Sequence, residues 1–235
     1  MNGSINTSLK TTDCKLVVTG DNSHTLTSPF EHEHYHSIHG AITESKHVFI
    51  EAGLANYSNK YPRETIKILE VGFGTGLNAL LSANFAIEHQ IAIDYTSIEA
   101  FPLPLEITNQ LNFNQELEAD SESIFKLIHS SDWETKQQIN SLFELTKLET
   151  TLQSFESQIK FNLCYYDAFG PRVQPELWEA SIFEKITGLL HPKAILVTYC
   201  CKGDVRRALM SVGFKVEKIP GPPGKREMIR AVYEP

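Results

Sequence analysis

From Thr65 to the C-terminus, short apolar runs alternate with stretches whose apolar positions recur every three or four residues. An apolar run bounded by turn residues reads as a buried strand, and the wider spacing reads as a helix packed by one face. Ile66–Val71 is therefore expected to be a strand and Leu77–His89 a helix. Asp94–Ala100 follows as a second strand, with helical stretches over Pro104–Leu111 and Ser121–Ile128. A third strand is expected within Ile139–Leu145, with a helix near Leu148–Ser157. Phe161–Asp167 reads as a strand, Pro175–Leu189 as a helix and Ala194–Cys200 as a strand. Asp204–Val212 reads as a helix with Asp204 as N-cap and Gly213 as its stop. Phe214–Ile219 and Glu227–Tyr233 close the pattern as an antiparallel pair around the turn-rich Pro220–Gly224. Such alternation builds a mostly parallel α/β sheet covered on both faces, closed at one edge by the antiparallel C-terminal hairpin.

Upstream, Lys15–Thr19 and His24–Thr27 read as short strands around the turn Gly20–Ser23. A polar, histidine-rich loop follows from Phe30 to Gly40. Val48, Phe49, Ala52 and Ala55 give Glu44–Tyr57 a helical spacing, and Asn59–Glu64 is a linker. The expected organisation is an N-terminal extension over 1–60 and an α/β domain over 61–235. A length of 235 residues fits one such domain with an appendage.

Composition narrows the class. A hydrophobic fraction of 41% and a charged fraction of 21% exclude a mainly disordered chain. The nearest approach to a membrane span, Leu77–Ile87, is interrupted by Asn78, Ser82 and Asn84, well short of the roughly 20 apolar residues required. Met1–Lys10 lacks the apolar stretch of a secretory signal. Cys14, Cys164, Cys200 and Cys201 form no CxxC pair, which suits the reducing cytoplasm. Cys200 and Cys201 would point to opposite faces of a strand and read as packing residues. The net charge of −8 argues against a protein that coats nucleic acid nonspecifically. From Lys202 onward, however, eight basic residues face four acidic ones, so this tail carries +4 and the remainder −12. The tail is either a solvated basic edge or a local landing site for a polyanion.

The chemistry begins at Ile68-Leu-Glu-Val-Gly-Phe-Gly-Thr-Gly-Leu-Asn78. A strand runs into Gly72, Gly74 and Gly76 and a helix starts at once. Glycines there let the backbone turn sharply and a ligand approach without a Cβ clash, and the helix N-terminus favours an electronegative group. The third glycine comes one residue earlier than in the dinucleotide fingerprint, which sets a nicotinamide cofactor behind another choice. Glu70 precedes the glycines, and Glu99 ends the second strand, where a carboxylate accepts bonds from ribose hydroxyls. Together these point to S-adenosylmethionine, with Glu70, Gly72, Phe73, Gly74, Thr75, Gly76, Glu99 and Ala100 as its candidate contacts; a glycine turn without ligand is the plain alternative. Asp167 ends a central strand at the edge where open α/β sheets bind ligands, so it faces the reacting group unless it merely forms a turn. His32, His34, His36 and His39, with Glu31 and Glu33, suggest zinc, but no complete ligand set at zinc spacing is present. A loop that hydrogen-bonds over the cofactor pocket is the preferred reading, and no metal is expected.

Six stretches together resemble one family, the methyltransferase part of the bifunctional tRNA 5-methylaminomethyl-2-thiouridine biosynthesis protein (MnmC) and its stand-alone relatives (MnmD type). They are Tyr35–Ile50, Val71–Asn78, Ser97–Leu103, Tyr166–Pro171, Gln174–Trp178, and a tail of Thr198-Tyr199, Val205–Leu209, Val212–Phe214 and Gly224–Met228. The resemblance spans Tyr35 to Arg230. It implies a Rossmann-like class I methyltransferase fold, whose usual layout ends in such a hairpin, and methyl transfer from S-adenosylmethionine to the exocyclic amine of 5-aminomethyl-(2-thio)uridine at the tRNA wobble position. Bifunctional members carry a flavin-dependent domain for which this chain has no further length, so action on the free aminomethyl form alone is expected. Two departures stand out. Gly170 replaces the alanine of the family's Asp-x-Phe-Ala-Pro loop, and Phe143-Glu-Leu-Thr-Lys147 gives no clear match to the acidic residue that members of the family often place on the adenine, so that contact is left unassigned.

On this reading Asp167 holds the amine N–H and stabilises the positive charge developing on nitrogen. Tyr35, Phe169 and Trp178 are candidates to wall the flipped base. Lys202, Arg206, Arg207, Lys225 and Arg226 are candidates for phosphate contacts. A methyltransferase acting on a small molecule or protein, or a non-catalytic binding protein of the same fold, is the competing reading.

Overall fold

The computed structural model describes residues 14–28, 33–62, 64–117 and 121–235. It opens on an antiparallel ribbon of β1 (Leu16–Val18) and β2 (His24–Leu26). Burial alone would raise the pKa of Asp21 in their turn, but hydrogen bonds from Ser23, Thr43 and Thr19 outweigh it and hold the pKa at about 2. Thr43, which bonds Asp21 through its N–H and its hydroxyl, lies on α1 (Ala41–Ser45), so the ribbon is tied to the next element. α1 continues through a π-helical stretch, Lys46–Ala55, into α2 (Asn56–Lys60). Gly53 of that stretch lies against the sheet: a Cβ there would stand 3.0 Å from Val197.

The sheet has eight strands: β3 (Ile66–Val71), β4 (Ile93–Glu99), β5 (Lys136–Asn140), β6 (Phe143–Glu149), β7 (Phe161–Tyr166), β8 (Leu190–Thr198), β9 (Phe214–Pro220) and β10 (Glu227–Tyr233). Their order is β5-β6-β4-β3-β7-β8-β10-β9. The five strands β6, β4, β3, β7 and β8 run parallel. β10 inserts antiparallel between β8 and β9, and β5 is antiparallel at the far edge. The expected mostly parallel α/β sheet with an antiparallel C-terminal hairpin is what forms.

Both faces are covered, so the central strands are apolar throughout yet sorted by parity. Ile66 and Ile68 join one core with Phe49, Leu80, Tyr95 and Tyr165, under the π-helical stretch, α3 (Leu77–His89) and α6 (Ser121–Ser130). Leu69 and Val71 join the other with Phe183 and Leu209, under α7 (Ala180–Thr187) and α8 (Gly203–Ser211). The N-terminal segment shares the first core, through Leu26, Ala41, Val48 and Phe49.

Several expected elements change shape. The third strand is the pair β5 and β6, and no helix follows it. Leu152 and Phe155 have helical spacing and are buried, but only one turn forms, closed by the Ser154 and Phe155 N–H groups on the Thr151 carbonyl. Pro104–Leu111 shrinks to α4 (Leu105–Thr108), followed by α5 (Phe113–Glu116). Pro175–Leu189 splits into a 3₁₀ turn, Pro175–Trp178, and α7, because Glu179 is extended. Asp204 does not cap α8. Lys202 holds that position, while Asp204 pairs with Arg207 one turn on. Gly213 does stop the helix, at φ +94°.

Strand order reverses between β3, which leads outward to β4 and β6, and β7, which leads to β8. The crevice at the carboxyl ends of β3 and β7 is where such sheets bind ligands.

Candidate active site

The glycine loop leaves β3 directly into that crevice. Gly72 has φ +94°, and a Cβ there would meet the Asp167 carbonyl oxygen at 2.8 Å, so the loop can pass β7 only without a side chain. Gly74 has φ +51°, with the Tyr35 ring 3.2 Å from where a Cβ would stand. Gly76 is the N-cap of α3 at φ +72° with no side-chain capping bond, so first-turn N–H groups are open to a ligand. Between them, Thr75 is held from two sides. His36 Nε2 is hydrogen-bonded to Thr75 Oγ1 at 2.6 Å, and His129 Nε2 donates to the Thr75 carbonyl at 3.2 Å. Burial drives both imidazoles to pKa values of about 4, helped at His129 by the neighbouring Lys147 charge. They are neutral struts. The histidine-rich loop thus hydrogen-bonds over the glycine loop as expected, whereas His129 carries no sequence signal.

A cavity of about 780 Å³ opens here, within the size range of small-molecule sites. Gly72, Phe73, Gly74, Thr75, Glu99, Ala100, Tyr35, Asp167, Phe169 and Lys225 lie on its wall, as do His34 and His36. Glu99 accepts the Gly74 N–H on one oxygen at 3.0 Å and the Phe101 N–H on the other at 2.9 Å. Burial raises the pKa of Glu99, and these backbone N–H groups oppose the rise. Asp167 Oδ2 accepts the Asn78 amide at 2.9 Å. Burial pushes Asp167 well above the usual carboxylate range, with the nearby carboxyl groups of Glu70 and Glu44 adding and Asn78 and Lys225 opposing. Tyr35 and Phe169 meet edge to face at 5.2 Å between centroids.

Other expected residues lie elsewhere. Glu70 is 0% exposed and off the cavity wall; strand parity turns it inward with Ile66 and Ile68, where its Oε2 accepts the Ser97 hydroxyl at 2.5 Å. Gly76 shapes the loop without lining the cavity. Trp178 is buried in the second core against Tyr166 and Phe183, and its Nε1–H donates to the Phe169 carbonyl at 2.9 Å; it props the loop and cannot wall a base. Lys202, Arg206 and Arg226 are exposed and make no ion pair among the described residues, whereas Arg207 pairs with Asp204. Lys225 turns inward, 2.8 Å from Glu44 Oε1 and 4.0 Å above the Tyr199 ring. His32 and Glu31 lie outside the described residues, and among those described no cluster of three metal-ligating side chains forms.

The wall also contains Glu44, Asn78, Tyr199 and Thr150–Gln153, none of them singled out from the sequence. Asn78 closes the glycine motif and was within reach of that pattern. The 150–153 loop follows the carboxyl end of β6, the position left without an adenine contact, and was hidden by the helix expected there. Behind the glycine loop, Lys147 is 1% exposed. Its Nζ donates to the Ile128 carbonyl at 2.8 Å near the end of α6 and lies over Phe73 and Trp133. The helix carbonyls and ring faces partly replace water, yet burial still lowers its pKa to about 8.

A parallel sheet with this strand order, glycine loop and strand-end carboxylate defines a class I methyltransferase architecture. A family described as S-adenosyl-L-methionine-dependent methyltransferase matches residues 112–234, and the chain belongs to it. The chain is 27% identical over 211 residues to the tRNA 5-methylaminomethyl-2-thiouridine biosynthesis bifunctional protein MnmC of Pseudomonas putida, covering 85% of this chain and 32% of that protein. It is 31% identical over 216 residues to the MnmC of Azoarcus sp. strain BH72, with the same two coverages. The chain therefore spans about a third of the length of these relatives. The crystal structure of MnmC2 from Aquifex aeolicus superposes with a TM-score of 0.73 at 25% identity, covering 94% of this chain and 71% of that one. The chain is thus an S-adenosylmethionine-dependent methyltransferase, and the cradle fits that cofactor. Gly72 and Gly74 leave the approach clear, and Glu99 presents a fixed carboxylate.

Proposed function

We propose that this protein methylates the exocyclic amine of 5-aminomethyl-(2-thio)uridine at the tRNA wobble position, in the cytoplasm. The observation that carries this reading is one cavity uniting the glycine loop, Glu99 and Asp167 in a chain whose MnmC relatives align over 85% of its length. Gly72–Thr75 and Glu99 would hold the cofactor, Glu99 taking the ribose hydroxyls, with the 150–153 loop and Ala100 toward the adenine. S-adenosylmethionine, when bound, supplies an electrophilic methyl group.

The chain's own task is positioning, because an amine attacks in line and only as the free base. Asp167, aimed by Asn78, accepts an N–H of the amine, directs its lone pair and stabilises the charge that develops on nitrogen. Tyr35 and Phe169 wall the base, which must leave the anticodon stack to reach the cavity. Lys202, Arg206 and Arg226 take phosphates outside, with Arg207 able to exchange its exposed partner Asp204 for one.

The test supplies radiolabelled S-adenosylmethionine and bulk tRNA from cells blocked in this modification. Label in wobble nucleosides supports the reading. Label confined to small molecules or protein overturns it.

A further inference from the structure

Three buried polar atoms beneath the cavity have no protein partner: Glu70 Oε1, Asn78 Oδ1 and Tyr95 Oη. Glu70 and Tyr95 are 0% exposed and Asn78 is 3% exposed. An unpaired buried polar atom is costly, so three in one place call for an account. Besides Ser97, the polar side chains that Glu70 meets are those of Asn78 and Tyr95. Asn78 in turn gives its NH₂ to Asp167.

Hydrogen-bond accounting separates the two forms of Glu70. As a carboxylate, Glu70 cannot donate to Asn78 Oδ1, whose amide is oriented with its NH₂ on Asp167. As a neutral acid, Oε1–H can donate to Asn78 Oδ1, which pairs Glu70 Oε1 and Asn78 Oδ1 together. We propose that Glu70 serves as a neutral carboxylic acid whose O–H fixes the Asn78 amide with its NH₂ on Asp167, which makes Glu70 and Asn78 positioning residues for the reacting carboxylate.

The surroundings favour the neutral form. From β4, Glu70 faces Tyr95, Ser97 and the strand-end Glu99. From α3 it faces Asn78, and from β7 Tyr165 and Asp167. None of these is a cation. Burial pushes Glu70 up to about 8, with Glu99 adding to the rise and the Ser97 hydroxyl and the neighbouring Asn78 and Tyr95 side chains opposing it. Above that pH the new carboxylate attracts the Asn78 NH₂, the amide turns over, and its oxygen faces Asp167. Asp167 then loses its donor and gains a repulsive neighbour.

This inference rests on the proposed role of Asp167 for its catalytic consequence only, so the closing experiment includes a readout free of any substrate. In ¹⁵N spectra of the whole protein, the Asn78 side-chain NH₂ signals, identified by their loss in Asn78→Ser, are followed from pH 6 to 10. The expected result is a shift with a midpoint near 8 that vanishes in Glu70→Gln. NH₂ signals that stay fixed over this range, or that shift identically in Glu70→Gln, overturn the proposal. In turnover, the rate of Glu70→Gln divided by that of the wild type should rise at least about 3-fold between pH 7 and 9.5, because glutamine cannot ionise. A flat ratio, with normal cofactor binding in both proteins, also overturns it. Absence of tRNA methylation in both proteins would count against the proposed function and leave the amide titration to decide this inference.

Discussion

At Asp167 one carboxylate oxygen is occupied by the Asn78 amide, so the other is free to meet an amine. Asp167→Asn keeps an oxygen for Asn78 and the shape of the loop but removes the negative charge. An interaction made mainly in the transition state lowers kcat and kcat/KM together when lost. The expected fall is about 10²-fold in both, typical of one preorganised electrostatic contact, with cofactor affinity unchanged. Steady-state kinetics on tRNA checks this, and a near-wild-type rate would make Asp167 a turn residue. Gly74 gives a test on the cofactor side. Its φ of +51° strains any β-branched residue, and the Tyr35 ring already stands 3.2 Å from a Cβ position. Gly74→Val should therefore abolish S-adenosylmethionine binding in calorimetry while circular dichroism stays native. Unchanged affinity would remove the loop from the cofactor site.

α8 shows what an element adds to its residues. Lys202 and Arg206 project from its first turns without carboxylate partners, whereas Lys218 and Arg230 on the neighbouring hairpin are neutralised by Glu227 and Glu217. Among the described residues, the exposed basic side chains of the tail without an ion pair are thus Lys202 and Arg206 at α8, Lys215 on β9, and Arg226. Lys202→Glu with Arg206→Glu should raise the KM for tRNA and flatten its salt dependence by about one ion per lost contact, leaving cofactor affinity and Tm in place. Loss of cofactor affinity as well would show damage to the fold. Elements also explain what the sequence made legible. The glycine loop, Glu99 and Asp167 were readable because each sits where a strand ends, and strand ends are marked by turn residues. Glu70 and Trp178 were assigned to the ligand by residue type. The period of two along β3 already turns Glu70 inward with Ile66 and Ile68, and Trp178 ends a 3₁₀ turn whose burial pattern no helical spacing reveals. His129 and Lys147 reach the glycine loop from α6 and β6, across more than fifty residues of chain, and no local pattern announces such a meeting.

For the whole molecule, the site couples pH to stability in opposite directions. His36 and His129 are neutral struts of Thr75 with folded pKa values of about 4, below the roughly 6.5 of an unfolded histidine. Between these values the unfolded chain binds more protons, so their contribution is present above pH 6.5 and is lost as pH falls toward 4. Glu70 is the reverse: its folded value of about 8 lies above the unfolded value of about 4.5, so the native state holds the extra proton. Its contribution is complete below pH 4.5 and is lost as pH rises through 8. Thermal unfolding of the wild type should therefore give a Tm that declines on both sides of a mildly acidic optimum. His129→Asn replaces one strut with a side chain that cannot titrate, and its Tm should fall less steeply than that of the wild type from pH 6.5 to 4. Glu70→Gln should gain on the wild type steadily from pH 5 to 8. Parallel Tm curves for wild type and Glu70→Gln over that range would mean that Glu70 is ionised in the folded protein. Parallel curves for His129→Asn on the acid side would mean that the imidazole is already charged when it holds the loop.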